Sequence, residues 1–254
     1  SGTDQSIVPA DNGVADVTVD PIGGKIYWTD SNNNQINAGQ RTGRVRSANL
    51  DGSQIEDVAN SNLRHPVAIA IDTIGNKLYW TDLEGNLDGA GSIQRANFDG
   101  SSRETVLTGI DEANGLAIDS LNGKLYWTEL ATGKVLLSNL DGSNLEDVII
   151  GLTTPSGIDI DSTIGFVYWN VYSPVLQTGQ IQRAKLDGSN QEVVLTGIGA
   201  PFDIVLLPIP EPSSAIMLSV GSLILLSQAF NRANRSSQSS GCRDAVRRKL
   251  AIWS

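Results

Sequence analysis

Over its first two hundred residues the chain is a succession of short segments in which apolar and polar positions alternate. "VAIAID" (67–72), "KLYWTD" (77–82), "SIQRANFDG" (92–100) and "ETVLTG" (104–109) follow one another in this way. A period of two puts successive side chains on opposite faces of a strand. In 77–82, Leu78 and Trp80 therefore share one face, and Tyr79 and Thr81 the other. Between the first and second segments lie Gly23-Gly24, Gly75-Asn76, Asn122-Gly123 and Gly165. Such residues supply the positive φ that a tight hairpin needs. No stretch of the body carries an apolar period of 3.6 residues, so the body is predicted to be all-β.

The four-segment unit recurs. Tyr27-Trp28-Thr29-Asp30 returns as Tyr79-Trp80-Thr81-Asp82, as Tyr126-Trp127-Thr128-Glu129 and as Tyr168-Trp169-Asn170. A second motif keeps step at Asp51-Gly52-Ser53, Asp99-Gly100-Ser101, Asp141-Gly142-Ser143 and Asp187-Gly188-Ser189. The first strand of each unit ends in an acid (Asp20, Asp72, Asp119, Asp161), with the motif Tyr seven residues on. Successive motif Trp are 52, 47 and 42 residues apart. Repeats of roughly 40 to 50 residues point to the blades of a propeller. Complete units are predicted at 14–60, 66–109, 113–151 and 155–197, with 201–208 beginning a fifth. Ser6 to Pro9 align with the last strand of a preceding unit. Sequence missing before Ser1, a four-bladed ring with a distorted seam, and an open arc that pairs with a second copy each explain such ends. The first is the reading preferred here, with the four units as part of a six-bladed ring.

A hydroxyl beside a carboxylate invites a catalytic reading of Thr81 and Asp82. A catalytic pair is needed once, whereas this pair returns in every unit, drifting to Glu129 and Asn170. The motif is therefore predicted to be scaffold. Its Trp is a wedge between blades, and its acid is a hydrogen-bond acceptor tying neighbouring blades together.

These residues resemble the YWTD repeats (class B repeats) of the low-density-lipoprotein receptor, over about residues 5 to 207. The resemblance implies a YWTD-type β-propeller in which Tyr27, Trp28, Asp30, Tyr79, Trp80, Asp82, Tyr126, Trp127, Glu129, Tyr168, Trp169 and Asn170 are structural. Receptor propellers of this family sit among Cys-rich modules, and their cargo release at acid pH relies on several His. Here Cys242 is the only cysteine and His65 the only histidine, so an endocytic role is not implied.

Charge sharpens the division of the chain. The net charge is −10. Residues 231–254 hold six basic residues and one acid for +5, leaving twelve basic and twenty-seven acidic residues, or −15, on the remainder. An acidic body excludes nucleic acid as partner, because phosphate contacts need a basic face. With one cysteine no disulfide forms within the chain, and a Cys-rich metal site is excluded.

In a propeller, second-to-third and fourth-to-first connections open on one face. The second-to-third connections vary most, at 31–43, 83–91, 130–133 and 171–179. Variable loops on a rigid frame are the usual place for binding. Asn32, Asn34, Glu84, Asn86, Asp88 and Tyr172 are the candidate ligand-face residues, a set suited to a polysaccharide or a basic peptide. Asp82, Glu84, Asn86 and Asp88 alternate as calcium ligands can, but the EF-hand spacing and its final Glu are absent. No metal, no cofactor and no catalytic residue is assigned. A propeller hydrolase of the lactonase or esterase type is the alternative, and a truncated propeller without present function is another.

At residue 208 the composition changes. Pro208, Pro210 and Pro212 predict a stiff spacer. Residues 213–230 are uncharged and mostly apolar, at the short end of a membrane-spanning helix. Arg232 and Arg235 follow, a placement that favours a cytoplasmic end after the span. Pro210-Glu211-Pro212, the apolar span and the arginines resemble the PEP-CTERM sorting signal of Gram-negative bacteria. The resemblance implies an exosortase-type processing enzyme as partner, passage through the inner membrane and a cell-surface or matrix location. Such signals stop soon after the arginines, whereas here a basic tail runs on from 236 to 254, expected to be without order.

Overall fold

The computed structural model describes residues 13–31, 43–83, 91–207 and 249–253, the last as backbone. Four four-stranded antiparallel sheets follow one another along the chain. The first comprises β1 (Val14–Asp20), β2 (Lys25–Asp30), β3 (Arg44–Asn49) and β4 (Glu56–Ala59). The second comprises β5 (Pro66–Asp72), β6 (Lys77–Asp82), β7 (Gly91–Asn97) and β8 (Glu104–Ile110). The third comprises β9 (Ala113–Asp119), β10 (Lys124–Glu129), β11 (Lys134–Asn139) and β12 (Glu146–Ile149). The fourth comprises β13 (Pro155–Asp161), β14 (Phe166–Ser173), β15 (Thr178–Lys185) and β16 (Glu192–Ile198). In each, the strands pair in chain order as a meander. The first strands β1, β5, β9 and β13 lie against one another in series, and β17 (Asp203–Leu207) continues the series beyond β13. These are propeller blades, with the first strand of each innermost.

Alternation along the motif strand decides which neighbour each side chain meets. Leu78 and Trp80 pack with Tyr27, Val45, Val58 and Leu63 of the first blade. Tyr79 turns the other way, into a cluster with Leu116, Leu125 and Trp127 of the third. The same rule puts Trp169 against Tyr126, Leu137 and Ile149. Trp80, Trp127 and Trp169 are thus wedges against the preceding blade, Trp28 packs within the first blade, and each of the four is at most 1% exposed. Burial of one such side chain stabilises the fold by about 3 kcal/mol.

The motif hydroxyl has a second task, set by a bulge. Pairing between the first two strands skips from Val14 to Val17, from Pro66 to Ile69 and from Pro155 to Ile158. A bulge leaves a backbone amide and carbonyl without ladder partners. Thr29, Thr81 and Thr128 accept from the freed amides of Asp16, Ala68 and Gly115, at 3.0–3.1 Å. Thr29 then donates to the freed carbonyl of Val67 in the next blade at 2.7 Å. Thr128 donates likewise to Ser156. One hydroxyl closes the bulge of its own blade and binds that of its neighbour.

The motif acid is an acceptor at the joint between blades, and its partners lie in the connecting segment. Asp82 accepts from the amides of Arg64 (3.0 Å) and His65 (2.8 Å), in the connection that enters its own blade. Glu129 accepts from Trp127 Nε1 (3.3 Å), Thr132 Oγ1 (2.8 Å) and the Asp111 amide (3.4 Å). The acid pins the link between blades, and the hydroxyl spans the blade contact. Asn170 is a correction: it stands in register with the hydroxyl, not the acid. Its Oδ1 accepts from the Gly157 amide at 3.2 Å and from Ser156 Oγ, and Val171 takes the acid's place.

The Asp-Gly-Ser turns join third strand to fourth. The hydroxyl and amide of Ser53, Ser101 and Ser143 donate to the preceding Asp, and the Ser189 amide to Asp187. These bonds, the hydroxyl's first, hold Asp51, Asp99, Asp141 and Asp187 below the usual carboxylate range.

Beyond the blades, Lys249–Trp253 forms a strand, β18, paired in parallel with β17 from Asp203↔Lys249 to Leu207↔Trp253. The sequence predicts no element there, because Arg247, Arg248 and Lys249 read as part of the basic tail. Among the described residues there is no helix long and apolar enough to cross a membrane. Residues 208–248, which hold Pro210, Glu211, Pro212, the 213–230 span, Arg232 and Arg235, lie outside the described residues, as do Ser6 to Pro9.

Candidate functional site

Of the six ligand-face candidates, Asn32, Asn34, Glu84, Asn86 and Asp88 lie outside the described residues. Tyr172 does not. It lies near the end of the long strand β14, half-buried, on the wall of a cleft of about 490 Å³ between the third and fourth blades. One side is the 150–153 connection, with Ile150, Gly151, Leu152 and Thr153. The other is the second-to-third hairpin and outer strands of the fourth blade, including Tyr172, Leu176, Gln180, Gln182 and Gln191.

Two local features open this space. The fourth strand β12 has four residues, where β8 and β16 have seven. It stops short and leaves an irregular connection into β13. The hairpin opposite begins only after β14 and β15 have run eight residues each, which carries Leu176 outward to 72% exposure. Ile150 faces it at 69%. Among the described residues no Asp, Glu, Lys, Arg or His lines the cleft. Its polar groups are amides in series: Gln191 Nε2 donates to Gln182 Oε1 (3.1 Å), and Gln182 Nε2 to Gln180 Oε1 (2.9 Å). Each amide has two donors and a two-lone-pair acceptor, so the row retains capacity for a guest.

The junction of the first and second blades shows the same construction in filled form. There the short strand is β4, with four residues, and Gln94 holds the place of Gln182. Arg103, at the position of Gln191, donates to Gln94 Oε1 (2.7 and 3.0 Å) and to the Ser61 carbonyl (2.6 Å). Its guanidinium lies 5.7 Å from the Trp80 ring centre. Burial lowers its pKa, offset in part by Asp82. Sequence reasoning passed over Gln180, Gln182 and Gln191 because each sits inside a strand or turn that reads as ordinary scaffold. The one available signal was Arg103 against Gln191 at equivalent positions after Asp-Gly-Ser.

The repeated acids and hydroxyls offer no second site. Thr29, Thr81 and Thr128 are fully buried and committed to backbone. His65 is half-buried, and burial lowers its pKa. Among the described residues no group of three His, Cys, Asp or Glu is placed to hold a metal ion.

With this geometry, the comparisons are specific about the repeat. Residues 24–73 and 76–120 match the low-density lipoprotein receptor repeat class B. Over 92 residues, 36% of this chain, the sequence is 35% identical to Protein cueball of Drosophila sechellia, a match that spans 13% of that protein. Over 90 residues it is 32% identical to Vitellogenin receptor Yl of Drosophila melanogaster, covering 35% of this chain and 4% of the receptor. The chain thus corresponds to a small part of these curated relatives. Among solved structures, one from a nidogen/laminin complex superposes with a TM-score of 0.57 at 22% identity, covering 64% of this chain and 62% of that one. A luciferin-regenerating enzyme superposes at 0.52 and 15% identity, covering 76% and 79%. At such identities the likeness is one of fold. Residues 24–73 and 76–120 are thus similar to low-density lipoprotein receptor class B repeats, and the four sheets have the fold of β-propeller blades.

Proposed function

We propose that this chain is the propeller portion of an exported binding protein whose loop face takes a protein or polysaccharide ligand. The observation that carries the reading is the commitment of the repeated acids and hydroxyls to backbone groups, beside an open, uncharged cleft on the loop side. A hydrolase of the lactonase or esterase type needs a nucleophile or a metal-activated water. The described motif carboxylates and hydroxyls are instead occupied as structural acceptors. The class B repeat, which also occurs in a receptor, supports a role in interaction.

Routing is part of the same proposal. Residues 208–235 act as a PEP-CTERM-like signal read by an exosortase-type enzyme, with 213–230 holding the protein in the inner membrane during transit. Cell surface or extracellular matrix of a Gram-negative bacterium is the destination. The test uses the full chain in cell fractions and on isolated envelope material. Saturable capture of a matrix component, reduced in Tyr172→Ala, is the expected result. Turnover of a lactone or ester panel, abolished by a chelator, would establish the hydrolase instead. A Glu211→Ala strain with unchanged mass and location would remove the sorting element and leave the binding element standing.

A further inference from the structure

We infer that the cleft between the third and fourth blades is a carbohydrate site for uncharged sugar rings, with Gln191 as the residue that keeps it open. The inference rests on the binding reading above and names its ligand class. The cleft volume of about 490 Å³ falls within the range of small-molecule sites, about 300–1,000 Å³. With no charged side chain among the described residues of its lining, it offers an ionic ligand nothing to pair with, although the body around it is strongly acidic. A sugar hydroxyl donates and accepts at once. So do the amides of Gln180, Gln182 and Gln191 and the hydroxyls of Thr153 and Thr178. The Tyr172 ring on the wall, with Ile150 and Leu176 at the rim, provides apolar surface for the C–H face of a ring. A peptide is less well matched. The cleft has no deep apolar pocket for an anchoring side chain, and the polar groups of its Gln row are side-chain amides rather than a backbone edge.

The first and second blades supply the internal control. There the same space is filled by the Arg103 side chain, which reaches from Gln94 to the Ser61 carbonyl. Gln191, shorter by two side-chain heavy atoms, bonds only as far as Gln182. Gln191 therefore contributes to the opening beside the short β12 and the long hairpin, and the chain already contains an Arg at the equivalent position.

The experiment compares the full wild-type chain with Gln191→Arg and Tyr172→Ala. Each is titrated calorimetrically with neutral tetrasaccharides of glucose, galactose and mannose at 50 and 500 mM salt. At least one tetrasaccharide is expected to bind wild type, with affinity changed less than twofold by salt. Gln191→Arg should weaken it at least tenfold while the melting temperature holds or rises, since Gln182 is in place to receive the guanidinium. Tyr172→Ala, which does not fill the cleft, should also weaken it. Equal binding by wild type and Gln191→Arg would overturn the cleft assignment and leave loop-face binding intact. Capture of an envelope protein or a peptide with no sugar bound would overturn the ligand class alone. Binding of neither sugar nor envelope component would overturn this inference and the binding reading together.

Discussion

Thr29 of the first blade donates its hydroxyl proton to the carbonyl of Val67 in the second, at 2.7 Å, while accepting from Asp16 in its own blade. Both partners are backbone groups left over by bulges. Thr29→Val keeps the shape and leaves both of them without this partner at a part-buried contact. The expected loss is about 1–3 kcal/mol. Urea denaturation checks it, and a midpoint equal to wild type would show that the hydroxyl does not join the blades.

Trp127 is fully buried against the second blade, among Ala68, Tyr79, Ile93 and Ile110. Trp127→Ala should cost about 3–5 kcal/mol. Trp127→Phe, which retains an aromatic wedge, should cost distinctly less. The comparison is read from the same denaturation curves, and equal losses would refute the wedge role.

Alkaline pH reaches a blade contact through Tyr126. Its hydroxyl donates to the Leu186 carbonyl of the fourth blade at 3.2 Å. Burial first, then Asp119, Asp187 and Glu146, push its pKa from 10.0 up to about 12. The folded state therefore holds this proton where the unfolded chain has released it. By linkage, stability contributed at lower pH is lost as pH rises from about 10 through about 12. Tyr126→Phe should flatten the fall in melting temperature over that interval. An unchanged slope would assign the fall to other groups.

Two glycines separate conformational need from steric need. Gly123 has φ +65° with nothing within 4 Å of an added Cβ, whereas Gly142, at +83°, would place that Cβ 2.4 Å from the Val106 carbonyl of the preceding blade. Gly123→Ala should cost about 1–2 kcal/mol, the left-handed backbone penalty. Gly142→Ala adds a clash with backbone and should cost about 3 kcal/mol or more. Thermal melts of both variants decide the matter, and equal shifts would show that the turn does not press on its neighbour.

The blades were legible because period-two alternation and the spaced motifs are local, and the structure places β1 to β17 where they fall. The assignment of faces followed too: Leu78 with Trp80 and Tyr79 on the reverse need only strand geometry. What escaped depends on two blades at once. The acid at Asp82 is an acceptor at the joint between blades, but its partners, the amides of Arg64 and His65, lie in a connection whose path only the structure shows. Asn170 reads as a drifted acid, although it follows Trp169 directly as Thr128 follows Trp127, and the bulge amide of Gly157 at its side chain makes that register plain. The cleft was least visible, since its opening depends on Gln191 and a short β12 that approach from different units.

The blade contact joins unlike sides: Trp facing backward, Tyr and the motif hydroxyl facing forward. In such a head-to-tail joint only the rotation per step decides whether the series closes. The backbone part of the joint recurs from unit to unit, so a whole unit can be duplicated or deleted with that part of the interface kept. Copy number then becomes a heritable variable in its own right, free of the chemistry of the joint, and a specialised junction such as the one beside Gln191 can arise in one unit while its siblings keep the structure together.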